Sequence, residues 1–198
     1  PSKPIRVVVP FAVGSGTDIL TRVVFEEMQK SMGANFIVDN KPGASAQIAA
    51  DFVAKSAPDG YTIFMGTNTA MSANPFLFKK LPYDPNKDFT PIARVNYFVF
   101  VLAVSGPSTY KSAQDVVDRA RASGTPLTYG FGNSTGQVGA AHFARGGKFA
   151  ATPIAYKSTP PALTDLSSGQ IDFIFVDLAA SQSYLKGGRI RAIAVQSD

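Results

Sequence analysis

The chain has 198 residues, enough for one or two domains, and 45% of them are hydrophobic against 17% charged. That balance supplies a core and excludes a disordered chain, and no apolar run approaches the roughly 18 residues of a membrane-spanning helix. The 17 Gly and 14 Pro are scattered without a repeat, and zero Cys excludes disulfides, thiolate zinc sites, cysteine nucleophiles and iron–sulfur clusters. A single histidine, His142, rules out a His-rich metal site and leaves one candidate base for any Ser-His-Asp arrangement. The formal charge is +5, yet the basic residues are dispersed, the densest groups being pairs such as Lys79-Lys80. Attraction of small anions is therefore expected, and no nucleic-acid partner.

Short β-branched runs alternate with amphipathic stretches, the pattern of parallel α/β units. Ile5 to Val9 reads as a strand buried on both faces. After Pro10 and a Gly-rich turn (Gly14-Ser15-Gly16-Thr17-Asp18), Ile19 to Met32 reads as a helix stopped by Gly33. Asn35 to Asp39 is the second strand, Ala46 to Lys55 the second helix and Tyr61 to Met65 the third strand. Gly66 to Asp88 is rich in Asn and Pro and reads as irregular; Phe89 to Val104 reads as a long extended apolar segment. A new series then begins. Ser112 to Ser123 is a helix opened by a Ser-x-x-Asp cap, Ser112 to Asp115. Leu127 to Gly130 is a strand, followed by a second small-residue loop, Gly132-Asn133-Ser134-Thr135-Gly136, and a helix over Gln137 to Ala144. Strand, helix, strand, helix and strand follow over 152–156, 161–168, 171–176, 181–186 and 190–195. Two successive series predict two α/β lobes with mainly parallel sheets, residues 1–103 and 104–198, divided near Ala103 to Pro107.

Each lobe places a Gly/Ser/Thr loop between a strand end and a helix start. Such a loop presents free backbone N–H groups, the positive end of a helix and hydroxyl donors, which together suit an anion. One loop alone reads as an ordinary capped turn; two in matching positions point to binding, at the strand ends where open α/β sheets take their ligands. Neither loop is a nucleotide fingerprint, since Gly14 to Ile19 lacks the third Gly of the dinucleotide motif and no Gly-Lys-Ser/Thr is present. No pair of carboxylates stands at an acid/base spacing, and His142 lies on a helix behind the second loop. The sequence offers no catalytic constellation.

Four stretches, PIRVVVPFAVGSGTD (residues 4–18), DNKPGASAQIAADFVAKSAPDGYTIFMGT (39–67), LPYDPNKDFTPIARV (81–95) and AYKSTPPALTDLSSGQIDFIFVD (155–177), resemble in order the Bug family of extracytoplasmic substrate-binding proteins of tripartite tricarboxylate transporters. The resemblance implies the type II periplasmic-binding-protein fold: two α/β lobes, a hinge and a central cleft. It also implies a small carboxylate held by loop amides and hydroxyls rather than by Arg. The ligand-binding positions it implies are Phe11, Gly14, Ser15, Gly16 and Thr17, with Asp18 beside them; Thr67, Asn68 and Thr69; Asn133, Ser134, Thr135 and Gly136; and Tyr156 and Asp177, with Lys157 between. Asp18 would repel an anion, so its expected role is capping or orienting the loop. It further implies no cofactor, no metal, no catalytic residue and no direct membrane insertion. The expected partners are the carboxylate and the membrane subunits of a tripartite transporter, in the periplasm after removal of a signal peptide.

Three departures from the family pattern stand out. Its members continue well beyond Ser197-Asp198, returning to complete the first lobe, so a C-terminal segment is expected to be lacking here. Phe131 stands where a small residue is usual, and it belongs among the ligand-binding candidates. Its ring either packs inward as core or lines the cleft opposite Phe11, the second arrangement favouring a flat aromatic acid. Finally, Gly139 to Lys148 fits the family poorly. Other functions compete: a ligand-sensing receptor partnering a sensor-kinase ectodomain would use the same cleft, while an enzyme of the same fold lacks candidate residues.

Overall fold

The computed structural model describes residues 1–196 and resolves the chain into two compact units, Pro1–Asn96 and Tyr97–Asp198. In the first, β1 (Ile5–Val9), β2 (Phe36–Asn40) and β3 (Thr62–Phe64) form an all-parallel sheet in the order β2-β1-β3. Strand β1 takes the centre because Ile5, Val7, Val8 and Val9 are all buried. A parallel neighbour requires a crossover, and helices α1 (Gly16–Met32) and α2 (Gln47–Ala54) supply the two. Gly33 ends α1 at φ 62°, returning its N–H to Gln29 O. A short left-handed turn, Ala44–Ala46, precedes α2. The stretch read as irregular contains a single π turn, Thr69–Ala73, and the one-turn helix α3 (Asn74–Leu77).

The second unit holds β4 (Phe100–Ser105), β5 (Leu127–Phe131), β6 (Ala151–Ala155), β7 (Phe173–Asp177) and β8 (Ile190–Val195) in one sheet, order β6-β5-β7-β4-β8. Helices α4 (Ala113–Ser123), α5 (Ser134–Gly146), α6 (Thr159–Ser167) and α7 (Leu178–Lys186) connect them. The Ser112–Asp115 capping box is present as the sequence indicates. One core cluster contains Ala162, Leu163, Leu166 and Ile174; another contains Val116, Tyr129, Ala140 and Phe173.

Three expectations change. The division falls at Asn96/Tyr97 and not within 103–107, because β4 is hydrogen-bonded to β7 and β8 on its two sides and cannot be cut. This second sheet is mixed: β4 runs antiparallel to both neighbours, while β5 is parallel to β6 and β7. A continuous apolar run signals burial on both faces and carries no information on strand direction. Helices α1 and α5 begin at Gly16 and Ser134, three residues before the expected starts at Ile19 and Gln137. The expected lack of a segment beyond Ser197-Asp198 lies outside the described residues.

Candidate functional site

The two small-residue loops are largely the first turns of helices. In the first unit Ser15 is the N-cap of α1 at the exit of β1, and its Oγ accepts the N–H of Asp18 at 3.3 Å. Gly14 makes the turn at φ 82°. Gly16 and Thr17 are therefore the first two helical residues, whose N–H groups face off the helix end. Ser15 and Thr17 are buried, as polar groups at a binding end would be.

Asp18 holds this loop from beneath. Its side chain is 2% exposed and accepts the Gly14 N–H at 3.0 Å, the Asn40 Nδ2 at 2.9 Å and the Arg22 Nε at 3.1 Å to both oxygens. Burial alone would push its pKa up, but the bonds from Arg22, Gly14 and Asn40 outweigh it and hold the carboxyl below its ordinary value. Asn40 Nδ2 also donates to Phe11 O at 2.9 Å, which ties the end of β2 to the same loop. Asp18 thus neutralises Arg22 and orients the turn, as expected of it from the sequence.

The other candidates of this unit divide. Thr67 ends the chain segment after β3, and its Oγ1 is buried without a hydrogen-bond partner among the described residues. Thr69 is buried at the start of the π turn and Asn68 is exposed. All three stand at the sheet edge that also carries the Ser15 turn, since β1 and β3 are parallel. Phe11 does not offer a ring face there: at 5% exposure it packs among Ala46, Ala50, Ala70 and Tyr83. Its ring belongs to that buried cluster of the first unit.

In the second unit Asn133 caps α5, its Oδ1 accepting the Gly136 N–H at 2.9 Å and its Nδ2 reaching Thr159 Oγ1 at 3.4 Å. Ser134 and Thr135 are the first two helical residues, Ser134 buried and Thr135 half-buried. A Cβ on Gly132 would lie 2.1 Å from Ser158 C and 2.2 Å from Thr159 N, and one on Gly136 would lie 2.7 Å from Phe175 O. These glycines let the α5 turn press against the start of α6 and against β7. Phe131 is half-buried and packs on the Tyr129 cluster, ring centroids 6.1 Å apart, which supports its core reading.

Two strand-end candidates have their side chains committed inside the unit. Tyr156 donates its hydroxyl to Asp165 Oδ2 at 2.6 Å, and burial together with that carboxylate pushes its pKa up to about 12. Asp177 is buried and caps α7 by accepting the Ala180 N–H at 2.8 Å; burial raises its pKa against the opposing bonds from backbone N–H groups. Lys157 between them is exposed. Sequence reasoning missed Asn40 and Asn74 as organisers of the first unit's loops. Asn40 had a signal, a polar residue closing an apolar strand; Asn74 had none beyond its place before a Pro. Among the described residues no group of three or more His, Asp or Glu could hold a metal, and no helix is long and apolar enough to cross a membrane.

Two α/β units, each with a capped helix opening at a strand end, are the architecture of the periplasmic-binding-protein fold, and known structures bear this out. A structure of Rpa4515 from R. palustris with adipate is 33% identical, with a TM-score of 0.95 over 100% of this chain and 67% of that one. MatC from Rhodopseudomonas palustris with bound malate is 29% identical, with a TM-score of 0.91 over 100% and 68%. The family model described as "Tripartite tricarboxylate transporter family receptor" matches residues 20–198, and the chain belongs to that family. A UPF0065 protein of Bordetella bronchiseptica is 37% identical over 205 residues, covering 100% of this chain and 59% of the relative. BugT of Bordetella pertussis is 29% identical over 203 residues, covering 100% and 61%. The chain thus spans about three fifths of the length of these curated relatives.

Proposed function

We propose that the chain is the ligand-recognising part of a periplasmic solute receptor that binds a small carboxylate and delivers it to the membrane subunits of a tripartite transporter. The observation that carries the reading is the duplicated helix opening, Ser15-Gly16-Thr17 and Asn133-Ser134-Thr135, each with at least one buried hydroxyl residue and no basic side chain in its first turn. Backbone N–H groups at a helix end favour a carboxylate through charge-assisted bonds, and neighbouring hydroxyls complete its acceptor set. Without a basic residue in either turn, a tricarboxylate would carry charge that finds no partner. The partnerless Thr67 Oγ1 supplies a further hydroxyl in the first unit. The Rhodopseudomonas relatives bound to adipate and malate support an aliphatic dicarboxylate. Each loop offers such a donor set, and the protein acts as a receptor with no bond-making step. A thermal-shift screen of mono-, di- and tricarboxylates, aliphatic and aromatic, tests it. Stabilisation by C4–C6 dicarboxylates above benzoate and citrate is expected, and a flat response to every carboxylate overturns it.

A further inference from the structure

Two departures from ordinary protein construction meet at one hydrogen bond in the first unit. Ala44, Ser45 and Ala46 have φ of 46°, 50° and 68°, three successive non-glycine residues in a region that L side chains visit rarely and singly. Such backbone persists only where its surroundings over-determine it. The determining contact is Asn74, whose Nδ2 donates to Ser45 O at 2.8 Å and to the Tyr83 hydroxyl at 3.0 Å. The Tyr83 hydroxyl in turn donates to Ala70 O at 2.7 Å, so one chain of bonds joins the left-handed loop to the π turn. Asn74 is 0% exposed, and its Oδ1 is buried with no hydrogen-bond partner among the described residues. A side chain kept for stability alone would be better as an apolar residue of equal size, because an unpaired buried carboxamide oxygen is costly. What only the amide can supply at this place is the hold on Ser45.

The held loop bears on the helix opening of α1. Ala46 shares its buried cluster with Phe11, Ala70 and Tyr83, so the loop braces the ring that stands three residues before Gly14. The carbonyl of that same Phe11 is fixed by Asn40, which also bonds Asp18. We propose that Asn74 is a positioning residue for the carboxylate-binding end of α1, acting through Ser45, Ala46 and the ring of Phe11. The inference rests on the function proposed above, but its test does not.

Amide hydrogen exchange followed by NMR in the ligand-free protein reads the coupling directly, whether or not a carboxylate binds. In Asn74→Leu, exchange should quicken about tenfold, the loss of one buried hydrogen bond, at Ser45 to Gln47 and also at Gly14 and Asp18. Val8 and Val9 in the neighbouring strand should exchange as in the wild type. Unchanged rates at Gly14 and Asp18, or equal quickening through β1, would overturn the proposal, the second result marking a general role in stability. Should Asn74→Leu fail to fold, Tyr83→Phe removes only the hydroxyl link, and the same residues must still quicken; silence at Gly14 and Asp18 there is equally fatal.

Discussion

Replacing Asp18 by Asn keeps the shape of the side chain and removes its charge. The carboxylate takes four donors, from Gly14, Asn40 and the Nε and Nη2 of Arg22, at 2.9 to 3.1 Å. The amide retains one acceptor oxygen and turns its NH2 toward groups that also donate. Hydrogen bonds to a charged group contribute about 1.5–3 kcal/mol each, and the half-exposed Arg22 side is screened by water, so the net loss should be about 2–3 kcal/mol. For a unit of roughly 100 residues that lowers the unfolding midpoint by about 10–20 °C. The effect must also depend on pH. The folded carboxyl titrates below its ordinary value. Its contribution is therefore complete above the unfolded pKa and is lost as pH falls through the folded one. Thermal unfolding of wild type and variant by circular dichroism at pH 7 should show the full gap, which should narrow below about pH 4. A gap under about 0.5 kcal/mol, or one unchanged down to acid pH, would refute the view that this ionised carboxylate holds the turn together.

Three further outcomes are expected from the geometry. Gly132→Ala places a Cβ 2.1 Å from the Ser158 backbone and should cost about 3 kcal/mol in urea unfolding, since neither backbone can yield freely; a loss below about 1 kcal/mol would mean that the contact relaxes. Tyr156→Phe should remove one phenol titrating near pH 12 from the alkaline absorbance curve and leave ligand affinity unchanged, because the hydroxyl is committed to Asp165. As that pKa is raised, the stability it contributes is present below the unfolded value and declines as pH climbs toward the folded one; a tenfold drop in affinity would instead put the hydroxyl on the ligand. Ser112→Ala should destabilise α4 by about 1 kcal/mol through loss of the cap to Asp115, measurable in the same unfolding assay.

The strands were legible because burial on both faces writes a continuous apolar run, as in Ile5–Val9 and Phe173–Asp177. Their direction was not, and β4 came out reversed, because direction depends on pairing with β7 and β8, strands far along the chain. The helix openings were displaced by three residues for a related reason. The expected starts, Ile19 and Gln137, follow the small-residue loops, while each helix begins at its cap. The loops were legible as strand-to-helix turns from their Gly, Ser and Thr content, but the partners of the larger side chains were not. Phe11 packs beside Ala70 and Tyr156 bonds Asp165, partners that no local spacing reveals, whereas the Asp177 cap on Ala180 follows the i to i+3 pattern of any N-cap. Within Gly139 to Lys148, Phe143 packs edge-on against Phe149 and Phe173 at 5.5 and 5.7 Å.

The central claim, a carboxylate taken at the helix openings, is tested most directly by calorimetric titration of the best dicarboxylate from the screen against wild type, Thr17→Ala and Thr135→Ala. The account predicts that each variant loses about 1–3 kcal/mol of binding, a five- to hundredfold rise in Kd, with the fold intact. Wild-type affinity in both variants would contradict it and place the ligand elsewhere on the protein.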